Sequence, residues 1–254
     1  MVAYDGTRYA GFQVQPNAPT IQGELERALG SLCSEAVRVT GAGRTDAGVH
    51  ATGQTISFTT SVALDGATIR RGVNALLPAD IAVPALEPAG DGFHARFSAT
   101  GRAYEYRIWN GPVRRPLQRL HEQWIPQALD RAALDLAAAA LVGTHDFAAF
   151  AAGPGGVRTV RRAEWTGPDD GGLRFAIEAD AFLRGMVRAI VGTLLWVGRG
   201  KIPPERFADI LGSRDRAQAG PSAPPAGLCL VGVRYEAGIG PGAHEDEEGA
   251  GDEE

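Results

Sequence analysis

The chain has 254 residues, 44% of them hydrophobic, enough to bury a sizeable core as one large domain or as two intimately joined halves. No apolar run approaches the length that spans a bilayer, and the first residues lack the basic-then-apolar pattern of a secretion signal, so a cytoplasmic protein with no membrane partner is expected. The formal net charge of −5 is unevenly spread: residues 238–254 hold seven acidic groups (Glu245, Asp246, Glu247, Glu248, Asp252, Glu253, Glu254) and no Lys or Arg, which leaves +2 on a body whose only lysine is Lys201, so a disordered acidic tail on a mildly basic, arginine-rich body is expected.

Residues 2–5 read as the end of a strand, and Asp5-Gly6 as a turn into Arg8-Tyr9-Ala10-Gly11-Phe12-Gln13. A helix is predicted from Thr20, whose hydroxyl can cap it, with Ile21, Leu25, Ala28, Leu29 and Leu32 on one face. A β-branched run at 37–40 and an alternating run at 54–60, with Ile56 and Phe58 between Thr55, Ser57 and Thr59, read as strands. Between them, Gly43-Arg44-Thr45-Asp46-Ala47-Gly48-Val49-His50-Ala51-Thr52-Gly53-Gln54 reads as a glycine-rich loop. Glycines permit positive φ and the close approach of another molecule, so Asp46 is either a turn former bonded to its own backbone or a carboxylate presented outward as the reacting group. A second helix over 68–77, ended by Pro78, and a strand over 81–86 complete two strand-helix-strand units, which argue for an α+β fold with a largely antiparallel sheet.

Phe93-His94-Ala95-Arg96-Phe97-Ser98-Ala99 leads into a strand over 102–109 whose Tyr104, Tyr106 and Ile108 share one face. Residues 112–126 carry Arg114, Arg115, Arg119 and His121 between bounding prolines; this basic hinge divides the chain into halves at 1–111 and 112–237. The second half reads as a helix over 130–141, the run Gly143-Thr144-His145-Asp146-Phe147-Ala148-Ala149-Phe150, and strands at 158–165 and 173–179 around a turn at 168–172. Residues 182–194 form an apolar helix in which Met186, Ile190 and Leu194 make a stripe and Arg184 and Arg188 stand four apart on one side. A charge in so apolar a helix needs a partner. A short helix from Pro203-Pro204, a polar loop at 213–222 and Pro224-Pro225-Ala226-Gly227-Leu228-Cys229-Leu230 follow. Cys33 and Cys229 are expected as buried thiols, because no Cys/His spacing suits zinc. No phosphate-binding Gly-Lys-Ser/Thr loop is present, and Gly41-Ala42-Gly43 lacks the third glycine of a dinucleotide site.

The run Arg44-Thr45-Asp46-Ala47-Gly48-Val49-His50 closely resembles the signature loop of the TruA-type tRNA pseudouridine synthases. Other landmarks follow in that family's order over nearly the whole chain before the tail. They are Asp5-Gly6 with Gly11-Phe12-Gln13 (Phe12 where the family has Trp), Arg102-Ala103-Tyr104-Glu105-Tyr106, the His145-Asp146-Phe147 run, Met186-Val187-Arg188 and the closing strand. The family usually has several more residues ahead of Val2, so either a clipped first strand or a true start upstream of Met1 is expected.

The resemblance implies the pseudouridine synthase fold: two similar halves with largely antiparallel sheets, joined across a central catalytic cleft. It implies conversion of uridine to pseudouridine in the anticodon stem-loop of tRNA, at positions 38 to 40, by a homodimer with no metal, organic cofactor or DNA partner. Asp46 would be the nucleophile or base, Tyr104 would stack on the target uracil, and Arg188 would pair with Asp46. Arg44 would displace the base or hold the neighbouring phosphate, and Leu228 or Leu230 would line the site. His50 is expected to make structural hydrogen bonds. Two other readings are an RNA-binding protein of the same fold without catalysis, and a hydrolase using Asp46 and His50; the second would require a serine, cysteine or metal constellation that the sequence lacks.

Overall fold

The computed structural model describes residues 1–167, 171–236 and 238–239. Its elements begin with β1 (Val2–Tyr4), α1 (Ile21–Cys33), β2 (Thr40–Gly41), β3 (His50–Gln54), β4 (Ile56–Ser57), α2 (Gly66–Leu76), β5 (Ile81–Ala82) and β6 (Gly101–Trp109). They continue with β7 (Gln123–Trp124), α3 (Arg131–Ala139), β8 (Gly143–Asp146), β9 (Val157–Thr166), β10 (Gly172–Ala179), α4 (Met186–Gly198), α5 (Pro204–Ser213), β11 (Leu228–Tyr235) and β12 (Gly238–Ile239).

Side chains at the first turns account for where helices begin. Thr20 accepts a hydrogen bond from Gly23 N–H, and Asp65 and Asp130 do the same for α2 and α3 through Thr68 and Ala133; such caps contribute about 1 kcal/mol each. α1 buries Ile21, Leu25, Ala28 and Leu29, the predicted face. α5 opens on Pro204, whose missing N–H is no loss at a helix start.

Ten strands form one sheet in the order β5-β1-β3-β11-β6-β10-β9-β8, with β12 beside β11 and β7 beside β6. Neighbours are antiparallel except β3–β11 and β6–β7, so the expected α+β, largely antiparallel sheet is present. The insertion of β11 between β3 and β6 is what no local pattern reveals. It places the last long strand at the centre, beside the strand that follows the Asp46 loop. β6 alternates as predicted, with Tyr104, Tyr106 and Ile108 buried, and each such side chain stabilises the fold by about 1.5–3 kcal/mol. Most of the buried apolar residues, from Val2 to Leu230, belong to one contiguous cluster; Ala42, Ala95 and Val233 form a small second one. Both cysteines are free and buried, and no described helix is long and apolar enough to cross a membrane.

Several expectations change. The strands expected over 37–40 and 81–86 are reduced to β2 and β5. The strand expected over 54–60 is limited to β4, which pairs with β2 in a separate two-stranded sheet. The longer strand lies earlier, at β3, inside what the glycines mark as loop. β3 has strands on both sides and four of its five residues buried, so it shows no alternation; Gly53 is required there because a Cβ would stand 2.1 Å from the Val231 carbonyl oxygen. Finally, α4 begins only at Met186. Gly185, at φ +69°, breaks the chain away from the helix, so Arg184 is exposed and off the helix rather than on the same face as Arg188. The turn at 168–172 lies largely outside the described residues, as does the acidic run from residue 240, while Gly238 and Ile239 pair with the end of β11.

Candidate active site

Residues 43–49 carry the chain from β2 to β3 and lie against residues 6–12. Phe12 N–H donates to the Thr45 carbonyl at 3.1 Å and Gly48 N–H to the Tyr9 carbonyl at 3.3 Å. The approach needs glycine on the opposing strand of chain: a Cβ on Gly6 would stand 1.9 Å from the Val49 carbonyl oxygen, and one on Gly11 (φ +102°) 2.7 Å from that of Thr45. Thr45 is buried, with its Oγ1 2.9 Å from the Tyr4 hydroxyl, and the Gln54 amide donates to the Gly43 carbonyl at 2.8 Å. The loop is therefore fixed through its neighbours, while the Asp46 side chain keeps 33% of its surface exposed. Its carboxylate pairs with Arg188 Nη1 at 3.2 Å rather than with its own backbone. Of the two readings of this residue, the turn former is set aside.

Arg188 owes its position to how residues 219–223 pack on α4. Gly192 lets them in, since a Cβ there would stand 1.7 Å from the Pro221 carbonyl oxygen. Gly220 N–H donates to Thr193 Oγ1 at 2.8 Å and Ala223 N–H to the Arg188 carbonyl at 2.9 Å. The Ala223 carbonyl then accepts from Arg188 Nε at 2.8 Å, which aims Nη1 at Asp46 across 142 residues of sequence. α4 buries eleven of its thirteen residues, and Arg188 stands near its start with 23% of its side chain exposed.

Tyr104 is 7% exposed on β6, and the Phe182 ring meets it edge-on at 5.1 Å and 88°. Burial pushes the phenol well above its ordinary pKa, with the Tyr4 hydroxyl and then the Asp46 charge adding to the shift, so the ring is neutral at physiological pH. Leu230 is its cross-strand partner, whereas Leu228 lies opposite Tyr106. Tyr106 is fully buried with its hydroxyl 2.8 Å from both Gln123 Oε1 and the Pro224 carbonyl, the core role expected of it.

Arg44 is exposed and has no ion-pair partner among the described residues. His50 is buried: Gly6 N–H donates to its Nδ1 at 3.1 Å and its Nε2–H donates to the Leu120 carbonyl at 2.8 Å. Burial lowers its pKa against the pull of Asp5, so it is a neutral ring tying β3 to residues 6 and 120. Asp5, His50 and His121 bring three potential ligand atoms within 4.8 Å of one another. Both His50 nitrogens already serve those hydrogen bonds, so these side chains fit a metal poorly.

Two contributors have roles that the sequence does not disclose. Phe182 opens the apolar run 182–194 and Arg102 opens the Arg102-Ala103-Tyr104-Glu105-Tyr106 landmark, but neither is among the expected site residues. Arg102 nevertheless makes five hydrogen bonds to the carbonyls of Ala42, Arg96, Ala99 and Asp180, at 2.8–3.3 Å, which anchors the root of the Asp46 loop.

A family model described as tRNA pseudouridine synthase matches residues 1–98 and 137–236. The tRNA pseudouridine synthase A of Geobacter sulfurreducens is 46% identical over 238 residues, covering 92% of this chain and 98% of its own. That of Chloroflexus aurantiacus is 47% identical over 248 residues (94% and 88%), and that of Chromobacterium violaceum 46% over 239 residues (92% and 91%).

Proposed function

The chain belongs to the tRNA pseudouridine synthase family, and we propose that Asp46 is the residue that starts the isomerisation of uridine to pseudouridine in the anticodon stem-loop, at positions 38 to 40 of tRNA. The observation that carries this reading is the Asp46–Arg188 pair, formed by two separate parts of the chain, with an Asp46 charge that the buried Tyr104 phenol senses.

The reaction breaks the N1–C1′ bond, turns the uracil and rejoins it through C5. N1 gains a proton and C5 loses one, so no oxidant or group donor is needed. A stacked base cannot turn, and the nucleotide must be flipped out at a cost of a few kcal/mol. In this reading Arg44, exposed and without an ion-pair partner among the described residues, fills the gap in the stack or holds the neighbouring phosphate. Tyr104 receives the flipped uracil on its ring, with Phe182 supporting it from the edge and Leu228 and Leu230 closing the site. Asp46 then adds to the base or sugar as a nucleophile, or removes a sugar proton as a base, while Arg188 fixes the carboxylate's direction. Residues 1–111 and 112–237 act as two halves around this cleft, and the enzyme works as a cytoplasmic homodimer on tRNA.

The test is tritium release from tRNA carrying 5-tritiated uridine, because a new bond at C5 must expel the label. Wild type releases tritium and Asp46→Ala does not. Equal release by both would remove Asp46 from the chemistry; release by neither, with tRNA still bound, would favour the non-catalytic RNA-binding reading.

A further inference from the structure

The side chains of residues 93–99 take no part in the site described above, yet one of them is an aromatic ring held in water. Phe97 is 77% exposed, although the backbone around it is firmly held. Ser98 N–H donates to the His94 carbonyl at 2.9 Å, and His94 N–H to Ser98 Oγ at 3.1 Å. Ala95, fully buried against Ala42 and Val233, donates to Ser57 Oγ at 3.2 Å and accepts from the Tyr235 hydroxyl at 2.8 Å. One nitrogen of Arg102 bridges the Arg96 and Ala42 carbonyls at 2.8 Å each, tying this stretch to the root of the Asp46 loop. The exposure of Phe97 is thus a feature of an ordered segment.

Its surroundings have the chemistry of a base-binding surface. His94 Nδ1 accepts from both the Arg96 and Phe97 N–H groups at 3.2 Å, which fixes the imidazole, and that ring stacks on Phe97 at 4.4 Å with planes 29° apart. The Arg96 guanidinium lies over the Phe97 ring, 5.6 Å from its centre, and has no carboxylate partner among the described residues, so a base stacking there would displace or sandwich this cation. A rigid exposed ring backed by a second ring, with a free cation over it, suits an unpaired nucleobase and its phosphate. An apolar protein contact would leave that cation without a partner.

We propose that Phe97, backed by His94 and flanked by Arg96, is a stacking platform for an unpaired base of the RNA substrate near the flipped uridine, with Arg96 meeting the adjoining phosphate. The proposal rests on the tRNA reading above and adds a second point of grip outside the Asp46–Tyr104 pocket.

The experiment compares wild type, Phe97→Ala, Phe97→Leu and Phe97→Trp as full-length proteins by tritium release, with melting temperature and sedimentation measured alongside. Phe97→Ala and Phe97→Leu should raise KM for tRNA on the order of tenfold, with a smaller change in kcat, and Phe97→Trp should restore it. Leucine retains apolar contact but cannot stack, so it separates a nucleobase from an apolar partner. The platform is overturned if KM is unchanged in Phe97→Ala, if Phe97→Leu behaves as wild type, or if the variants lose mass in sedimentation. A wild type that releases no tritium would instead overturn the enzymatic reading itself.

Discussion

Two partly buried arginines, Arg188 and Arg102, meet the ends of one short stretch of chain and bind it in different ways. Arg188 reaches Asp46 with one nitrogen and the Ala223 carbonyl with another. Arg102 bonds only to backbone carbonyls, that of Ala42 among them. A carboxylate can exchange its partner for a substrate, whereas a carbonyl in a folded backbone has no other use for its hydrogen bond. The difference separates the working side of the loop from its anchored side, where Thr45, Gly48 and His50 are also fixed.

That division is open to test. Asp46→Ala should have the largest effect, lowering tritium release by about a thousandfold or more while shifting the melting temperature by only a degree or two, since a 3.2 Å pair with both side chains partly exposed contributes little to stability. A collapse of the fold would place Asp46 among the anchors. Arg188→Ala should follow, with kcat down on the order of a hundredfold and tRNA affinity nearly kept, measured by single-turnover release and filter binding. Arg102→Met should invert the pattern: denaturant melts should show a loss of about 2–4 kcal/mol from carbonyls left without a donor, and the residual folded protein should still release tritium. The smallest effect is at His50. Burial lowers its pKa, so its stabilising contribution is complete above the unfolded value near pH 6.5 and is lost as pH falls towards the folded value, by at most about 1.4 kcal/mol per pH unit. Melts at pH 7 and pH 5 should therefore differ less in His50→Gln than in wild type.

How legible each side was in the sequence follows from the same difference. The working side is built from side chains meeting side chains, and Asp46, Tyr104 and Arg188 stand in runs specific enough to be matched to a family. The capping residue Thr20 and the alternating face of β6 were readable for a local reason, because their partners lie a few residues away. Arg102 stands in a family-matched run too, but its anchoring role was not readable: its acceptors are backbone atoms, which any sequence supplies. β3 was hidden because a strand buried on both sides loses its alternation and because Gly53 looks like a loop residue. The placement of Arg184 turned on the φ of one glycine, which composition does not reveal. The insertion of β11 depends on residues far apart in the chain, and Leu230 faces Tyr104 only through that pairing.

β11 also has a consequence for how the protein is made. His50 is paired with Cys229 and Tyr104 with Leu230, so β3 and β6 are joined only through a strand translated well over a hundred residues after either of them. Until residues 228–235 leave the ribosome, the nascent chain holds β3 and β6 with open edges that face no partner, the state in which strands are most prone to pair with the wrong neighbour. A chain released before Leu228 would contain Asp46, Tyr104 and Arg188 and still lack the strand that brings the first two together.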